Sequence, residues 1–255
     1  MQLRSGKITN TTTDNSSESV QLAAVVAQCG DVIRYIKNPS ESVQLAAVAH
    51  DGYAIEHIKN PSEKVQLAAV AQNCWIIKYI ENPSKTVQLA AVAQNGCVTR
   101  YIKNPSEKVQ LVAVTKNGCV TRYIKNPSEK VQLAAVGQNC WIIKYIENPS
   151  KTVQLAAVAH DGYAIKFIKN PTESVQLAAV RQIGVAIQFI KNPSEAVQLV
   201  AVKQSPIAIK HIENPSKAVM LAVVDTKNKF AISYIKNPSE AVQLAAVTQK
   251  ENTRY

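Results

Sequence analysis

Apolar and polar positions follow one fixed order along most of this chain. The run Val-Gln-Leu-Ala-Ala-Val recurs, with one or two exchanges in some copies, from Val20 to Val247. Prolines fall at 39, 61, 83, 105, 127, 149, 171, 193 and 215, each 22 residues after the last, and Pro238 comes after 23. Self-similarity at such a period predicts stacked repeats, each unable to bury its apolar face alone. The units open at Asn15, Asn38, Asn60, Asn82, Asn104, Asn126, Asn148, Asn170, Asn192, Asn214 and Asn237. Their composite, NPSEKVQLAAVAQNGCVTRYIK, is numbered from 1 to 22.

Each unit predicts two helices. Asn at position 1 reads as an N-cap, Pro at 2 as the first helical residue and Glu at 4 as the side chain reaching back to the cap. The VQLAAV run continues the helix. Gly30, Gly52, Gly96, Gly118, Gly162 and Gly184 share position 15, where they read as left-handed C-caps. A second, shorter helix is expected over positions 16 to 22. The first helix should be about 12 residues (~18 Å) and the second about 7 (~10 Å).

A helical wheel extends this to tertiary structure. In the unit opening at Asn60, Val65, Ala68 and Ala69 share one face and Leu67 and Val70 another, leaving positions 5 and 12 outward. A helix apolar over most of its circumference needs neighbours on several sides, and stacked units supply them. The expected fold is all-α: a right-handed α-solenoid of tandem 22-residue helix-turn-helix units. Residues 1–14 read as a flexible polar tail, and residues 15–255 as ten full units and a terminal half-unit. Two units are irregular. The first has Ser16 for Pro and one extra residue; the tenth has an insertion around Asp225–Phe230 and Met220 in place of Gln.

Two polar features repeat with the period. Position 22 and position 4 of the next unit always carry opposite charges: Lys37 with Glu41, Lys59 with Glu63 and Lys103 with Glu107, but Glu81 with Lys85, Glu147 with Lys151 and Glu213 with Lys217. Such coupled reversal predicts a contact that sets the angle between hairpins, each exposed pair being worth ~0–1 kcal/mol. Gln recurs at position 7, as Gln44, Gln66, Gln88, Gln110, Gln132, Gln154, Gln176 and Gln198, inside the predicted buried arc. An unpartnered buried amide costs ~1–3 kcal/mol. A structural ladder is therefore expected, with these amides bonding turn backbones or the next unit.

Composition adds limits. Lys and Arg number 29 against 18 Asp and Glu, a net charge of +11, which points weakly to anionic partners. No apolar run reaches the ~20 residues that span a bilayer, so membrane insertion is not expected. Basic Met1–Lys7 is followed by polar Thr and Ser, so no secretory signal is read there. Five cysteines without a CxxC suggest a reducing, intracellular setting, cytoplasm or virion. His50, His57, His160 and His211 lack metal-ligand spacing, and there is no GxGxxG, P-loop or GxSxG. Neither metal, cofactor nor enzymatic activity is expected. Cys97 and Cys119 read as ordinary small residues of adjacent units, too far apart for an easy disulfide.

Two stripes are candidates for binding. Position 19 holds Arg34, Lys78, Arg100, Arg122, Lys144, Lys166 and Lys210, interrupted by Glu56, Gln188 and Ser233. Position 16 adds Tyr53, Trp75, Trp141 and Tyr163. Cations interleaved with aromatic rings can hold single-stranded nucleic acid through phosphates and stacking. The alternative is that position 19 is the solvated face of the short helix and the rings close the hairpin.

The wording AVxQNGxxIxYI, present with small changes in Ala91–Ile102 and Ala113–Ile124, resembles the repeats of a domain-of-unknown-function family common in giant DNA viruses and found in some protists and bacteria. The opening LRSGK also looks like openings of giant-virus proteins. The general shape is similar to HEAT-like and leucine-rich-variant solenoids, which bind proteins or nucleic acids along an extended face. The resemblance implies a viral or microbial interaction protein. The expected function is a non-catalytic protein-interaction scaffold or structural repeat protein. Two alternatives stay open: a nucleic-acid-binding solenoid using the basic stripe, and a self-assembling protein joined through its solenoid ends.

Overall fold

The computed structural model describes residues 17–27, 30–226 and 230–252; the expected N-terminal tail and part of the insertion lie outside them. All regular structure among the described residues is helical. The chain divides into two bodies, residues 1–126 and 127–255. In the first, α1 (Glu18–Ala27), α2 (Glu41–His50), α3 (Glu63–Gln72), α4 (Lys85–Gln94) and α5 (Glu107–Lys116) alternate with short helices Asp31–Tyr35, Gly52–His57, Cys74–Tyr79, Gly96–Tyr101 and Gly118–Tyr123. In the second, α6 (Glu129–Gln138), α7 (Lys151–His160), α8 (Glu173–Gln182), α9 (Glu195–Gln204), α10 (Lys217–Val224) and α11 (Glu240–Asn252) alternate with Cys140–Tyr145, Gly162–Phe167, Gly184–Phe189, Pro206–His211 and Ala231–Tyr234. Within each body every α-helix packs on the next, and every short helix packs on the next short helix. This is an α-solenoid of tandem 22-residue units.

The short helix is a 3-10 helix of four to six residues rather than an α-helix. Its N–H groups bond three residues back, as Ile58 N does to the Ile55 carbonyl at 3.1 Å. Three residues per turn align positions 15, 18 and 21 on one side. Those positions are buried in the unit opening at Asn60, as Cys74, Ile77 and Ile80, with Ile76 beside them. The α-helix contributes Val65, Ala69 and Val70 to the same core. Leu67 and Ala68 are only half-buried, so the outward arc is wider than the wheel suggested.

The start of each unit differs from expectation. The α-helix begins at position 4, and the cap is the Ser at position 3. Ser40 Oγ accepts from Val43 N at 3.3 Å, and Ser62, Ser84, Ser128, Ser150, Ser194 and Ser216 repeat the bond at 3.2–3.4 Å. Asn at position 1 is left-handed instead, with φ between +47° and +55° from Asn38 to Asn237. Proline at the next position disfavours right-handed helix in the residue before it. Asn is among the few non-glycine residues that accept the left-handed region. The Gln side chain then closes this turn. Its Nε2 donates to the carbonyl of its own unit's Pro at 2.8–2.9 Å, from Gln44 to Pro39 through Gln198 to Pro193.

The glycines differ too. Only Gly30 has positive φ, +74°, among the described glycines. The others at position 15 open the 3-10 helix, and the left-handed cap is absent there. What they provide is close approach. A Cβ at Gly96 would overlap the Ala113 carbonyl oxygen of the next unit, and one at Gly184 would overlap that of Ala201. The residue before is extended and caps the short helix through its side chain. Asp51, Asn73, Asn95, Asn117, Asn139 and Asp161 each accept from the N–H two residues on, at 2.9–3.0 Å.

The charged joint is also corrected. Among the described residues, none of the pairs between position 22 and the next position 4 closes to ion-pair distance; the one ion pair is Lys64–Glu41 at 3.8 Å. The left-handed Asn reverses the chain between the two positions, so a spacing of four residues is not a helical one there. The carboxylate at position 4 serves the next unit instead. Ser40 donates to Glu18, Ser84 to Glu63 and Ser150 to Glu129 at 2.6 Å, and Ser194 to Glu173 and Ser216 to Glu195 at 2.5 Å.

Substitutions at these joints have definite expected outcomes. Gly184→Ala should destabilise the second body by about 1–3 kcal/mol through overpacking. Gly137→Ala, on an open stretch of α6 with nothing within 4 Å, should stabilise it by roughly 0.5–1 kcal/mol. Denaturant unfolding midpoints of the two variants should therefore move in opposite directions. Hydrogen bonds from Ser40 and then Ser42 hold the exposed Glu18 carboxyl below its usual range. Its folded pKa lies below the unfolded one, so its stabilising contribution is present above the unfolded value and is lost as pH falls through the folded value. Carboxyl NMR titration should find the Glu18 midpoint raised in Ser40→Ala.

Candidate interaction surface

The row of 3-10 helices carries the side chains singled out from the sequence. The Asx cap at position 14 aims position 16 outward, and positions 19 and 20 come one turn of 3-10 helix later. In the first body the Tyr53 ring packs edge-on against Tyr79 and Trp75 against Tyr101, both with centroids 6.1 Å apart. In the second, Trp141 meets Phe167 at 5.5 Å and Tyr163 meets Phe189 at 6.0 Å. Every pair joins position 16 of one unit to position 20 of the next. Sequence reading missed these position-20 partners, although Tyr or Phe recurs there at Tyr35, Tyr79, Tyr101, Tyr123, Tyr145, Phe167 and Phe189.

The cations of position 19 lie over these rings. Arg34 sits 4.8 Å from the Tyr35 centroid, Lys78 4.5 Å from Tyr79 and Arg122 4.8 Å from Tyr123. Arg100 is held among three rings, 5.5 Å from Trp75, 5.4 Å from Tyr101 and 5.1 Å from Tyr123. In the second body Lys144 spans Tyr145 and Phe167, and Lys166 spans Phe167 and Phe189, at 4.7–6.0 Å. Lys210 lies 4.9 Å from Tyr234. Each contact at an exposed site is worth ~0.5–1 kcal/mol. A hydrogen bond to the Tyr79 side chain pushes the Lys78 ammonium pKa up, so it stays charged.

The result is a ridge of rings and seated cations along one edge of each body. Seven of its rings, Tyr35, Tyr53, Tyr79, Tyr101, Tyr123, Trp141 and Tyr145, are 37–53% exposed, so the ring partners do not hide them. Trp75 and Tyr163 are half-buried. Glu56 interrupts the cations of the first body and Gln188 those of the second. Rings on either side of a guanidinium, as at Arg100, orient its planar donor edge, which suits bidentate recognition of carboxylate or phosphate. At the foot of the ridge a cleft of about 400 Å³ is lined by Lys78, Asn82, Gln88, Tyr101 and Lys103 among others.

Other candidate chemistry is placed elsewhere. Among the described residues no three His, Cys, Asp or Glu side chains are grouped to hold a metal ion, and no helix is long and apolar enough to cross a membrane. Cys74 and Cys140 take the buried position 15, and burial pushes both thiols up. Cys97 and Cys119 are half-buried at position 16, with Asn117 Nδ2 3.4 Å from the Cys97 sulfur. No protein-family model, curated protein or solved structure matches the chain.

Thiol accessibility tests this placement. Since the thiolate is the nucleophile, iodoacetamide should modify Cys97 and Cys119 well before Cys74 and Cys140, as tracked by peptide mass spectrometry over time.

Proposed function

We propose that this chain is a non-catalytic interaction scaffold that docks a protein partner along the ridge of its 3-10 helices. The observation that carries the reading is the recurrence, unit after unit, of half-exposed rings with a cation seated on them. Tyr, Trp and Arg are the residue types that carry most binding energy at protein interfaces. Cations held by neighbouring rings are already ordered, so less conformational entropy is lost when a partner's carboxylates meet them. The resemblance of the repeat wording to giant-virus helical repeats supports a viral or microbial setting. Cysteines without a CxxC pair support a reducing compartment, cytoplasm or virion.

A second reading rests on a specific observation, the net charge of +11 together with the aligned cations. On that reading a single-stranded nucleic acid lays its phosphates on the cations and its bases on the exposed rings.

Salt separates the two. Fluorescence anisotropy with single- and double-stranded oligonucleotides should show no micromolar binding at physiological salt if the partner is a protein. Capture with the wild-type chain should then recover a partner that the double variant Arg100→Ala, Tyr101→Ala loses. Nucleic-acid binding would instead weaken steeply with salt, and Arg100→Glu with Arg122→Glu would lower the slope of the salt dependence by about 2. Oligonucleotide binding of that kind overturns the first reading.

A further inference from the structure

The ridge of the first body has a fixed spacing that whatever docks there must match. Arg100 lies 5.1 Å and Arg122 4.8 Å from the Tyr123 centroid, so about 10 Å at most separates their guanidinium carbons, the distance between packed helix axes. In the second body Lys144 and Lys166 share the Phe167 ring in the same way, at 6.0 and 5.9 Å. Lys78, Arg100 and Arg122 are contributed by three consecutive units, and all three are exposed. The ring that follows each in the chain, Tyr79, Tyr101 or Tyr123, is 37–42% exposed. Between Tyr79 and Tyr101 the row opens into the cleft of about 400 Å³, lined also by Lys78 and Lys103. A docking segment therefore meets one cation and one open ring per unit, with a recess between two of the rings.

We infer that the partner docks as a polyproline-II segment with a carboxylate at every third residue, laid along Lys78, Arg100 and Arg122. The inference rests on the protein-docking reading of the ridge and adds the partner's conformation and spacing. Width argues for a linear segment. Positions 16 to 20 cover ~8–10 Å of 3-10 helix, and three units extend ~24–30 Å. Such a strip falls short of the ~800 Å² per side that two folded proteins bury. Spacing then selects the conformation. A polyproline-II helix has three residues per turn and rises ~3.1 Å per residue, so one side returns every ~9.3 Å. That is one turn per unit of the stack. A β-strand returns the same face every ~6.5–7 Å and loses register with the cations after one unit. An α-helix satisfies its own carbonyls, whereas polyproline II leaves them open to the hydroxyls of Tyr101 and Tyr123. Its prolines suit a row lined with rings. Its carboxylates suit Arg100, whose planar fork takes one through two parallel bonds.

The test uses the full chain and fluorescein-labelled synthetic peptides, followed by anisotropy at physiological salt. One peptide holds four Glu-Pro-Pro triplets. A second has the same residues with its glutamates in one block. A third has Glu-Gly-Gly triplets, which keep the spacing without the polyproline-II preference. The Glu-Pro-Pro peptide should bind about tenfold tighter than either control, and Arg100→Ala should cost it about tenfold in affinity. Arg100 is exposed, and unchanged far-UV circular dichroism checks that the variant folds. Equal affinity for the block peptide would mean that charge alone is read, and equal affinity for the glycine peptide that conformation is not; either overturns the inference. So does a chain that binds none of the three. If capture of a protein partner through Arg100 and Tyr101 still succeeds in that case, the inference alone falls and the docking reading stands. An oligothymidylate that binds more tightly than the Glu-Pro-Pro peptide overturns both.

Discussion

The left-handed asparagine before each proline is the constraint on which the other contacts depend. It recurs at ten consecutive joints with φ within a few degrees of +50°. By reversing the chain there, it ends the 3-10 helix, frees the Ser two residues on to cap the next α-helix, and turns the Pro carbonyl toward the Gln amide. The 3-10 rows and the α rows then run side by side. Where Met220 replaces Gln, the Pro215 carbonyl has no Gln amide to accept from. The proline turn itself persists at that joint, with Asn214 at φ +51°, so backbone preference sets the turn and the amide tightens it.

Stacking distance is set by small residues at the closest approach. Glycine at position 15 lets the next unit's alanine carbonyl come close, while Cys74 and Cys140 occupy the same place in two units of nearly identical sequence. This spacing brings rings from neighbouring units within edge-to-face distance and lets one cation reach rings of two or three units. The ridge is therefore a product of the stack: no single unit contains both a position-16 ring and its partner.

Much of this was legible from residues alone. A 22-residue period, the absence of strand patterning and apolar residues on most of the helix circumference require stacked helical units. The Gln ladder with its need for turn carbonyls, and the line of cations at position 19, were also written in the repeat. These features depend on spacing and burial, which a period repeated ten times displays directly.

The structure decided what local chemistry left degenerate. Asn-Pro-Ser-Glu fits a helix capped at Asn and a helix capped at Ser equally well; the choice falls to Ser because the Asn before Pro is left-handed, and at five joints the same hydroxyl also reaches Glu of the unit before. Gly-x-x fits a left-handed cap or a close approach, and the next unit's carbonyl chooses the second. Opposite charges four residues apart suggested a local pair, yet position 4 bonds a group 21 or 22 residues away. Ring partners likewise lie in adjacent units, position 16 against position 20 of the next. Sequence determined the unit and its period, since those are properties of one stretch of chain; the stack determined the partners of the Ser hydroxyls, the position-15 glycines and the rings, because those contacts lie one unit away.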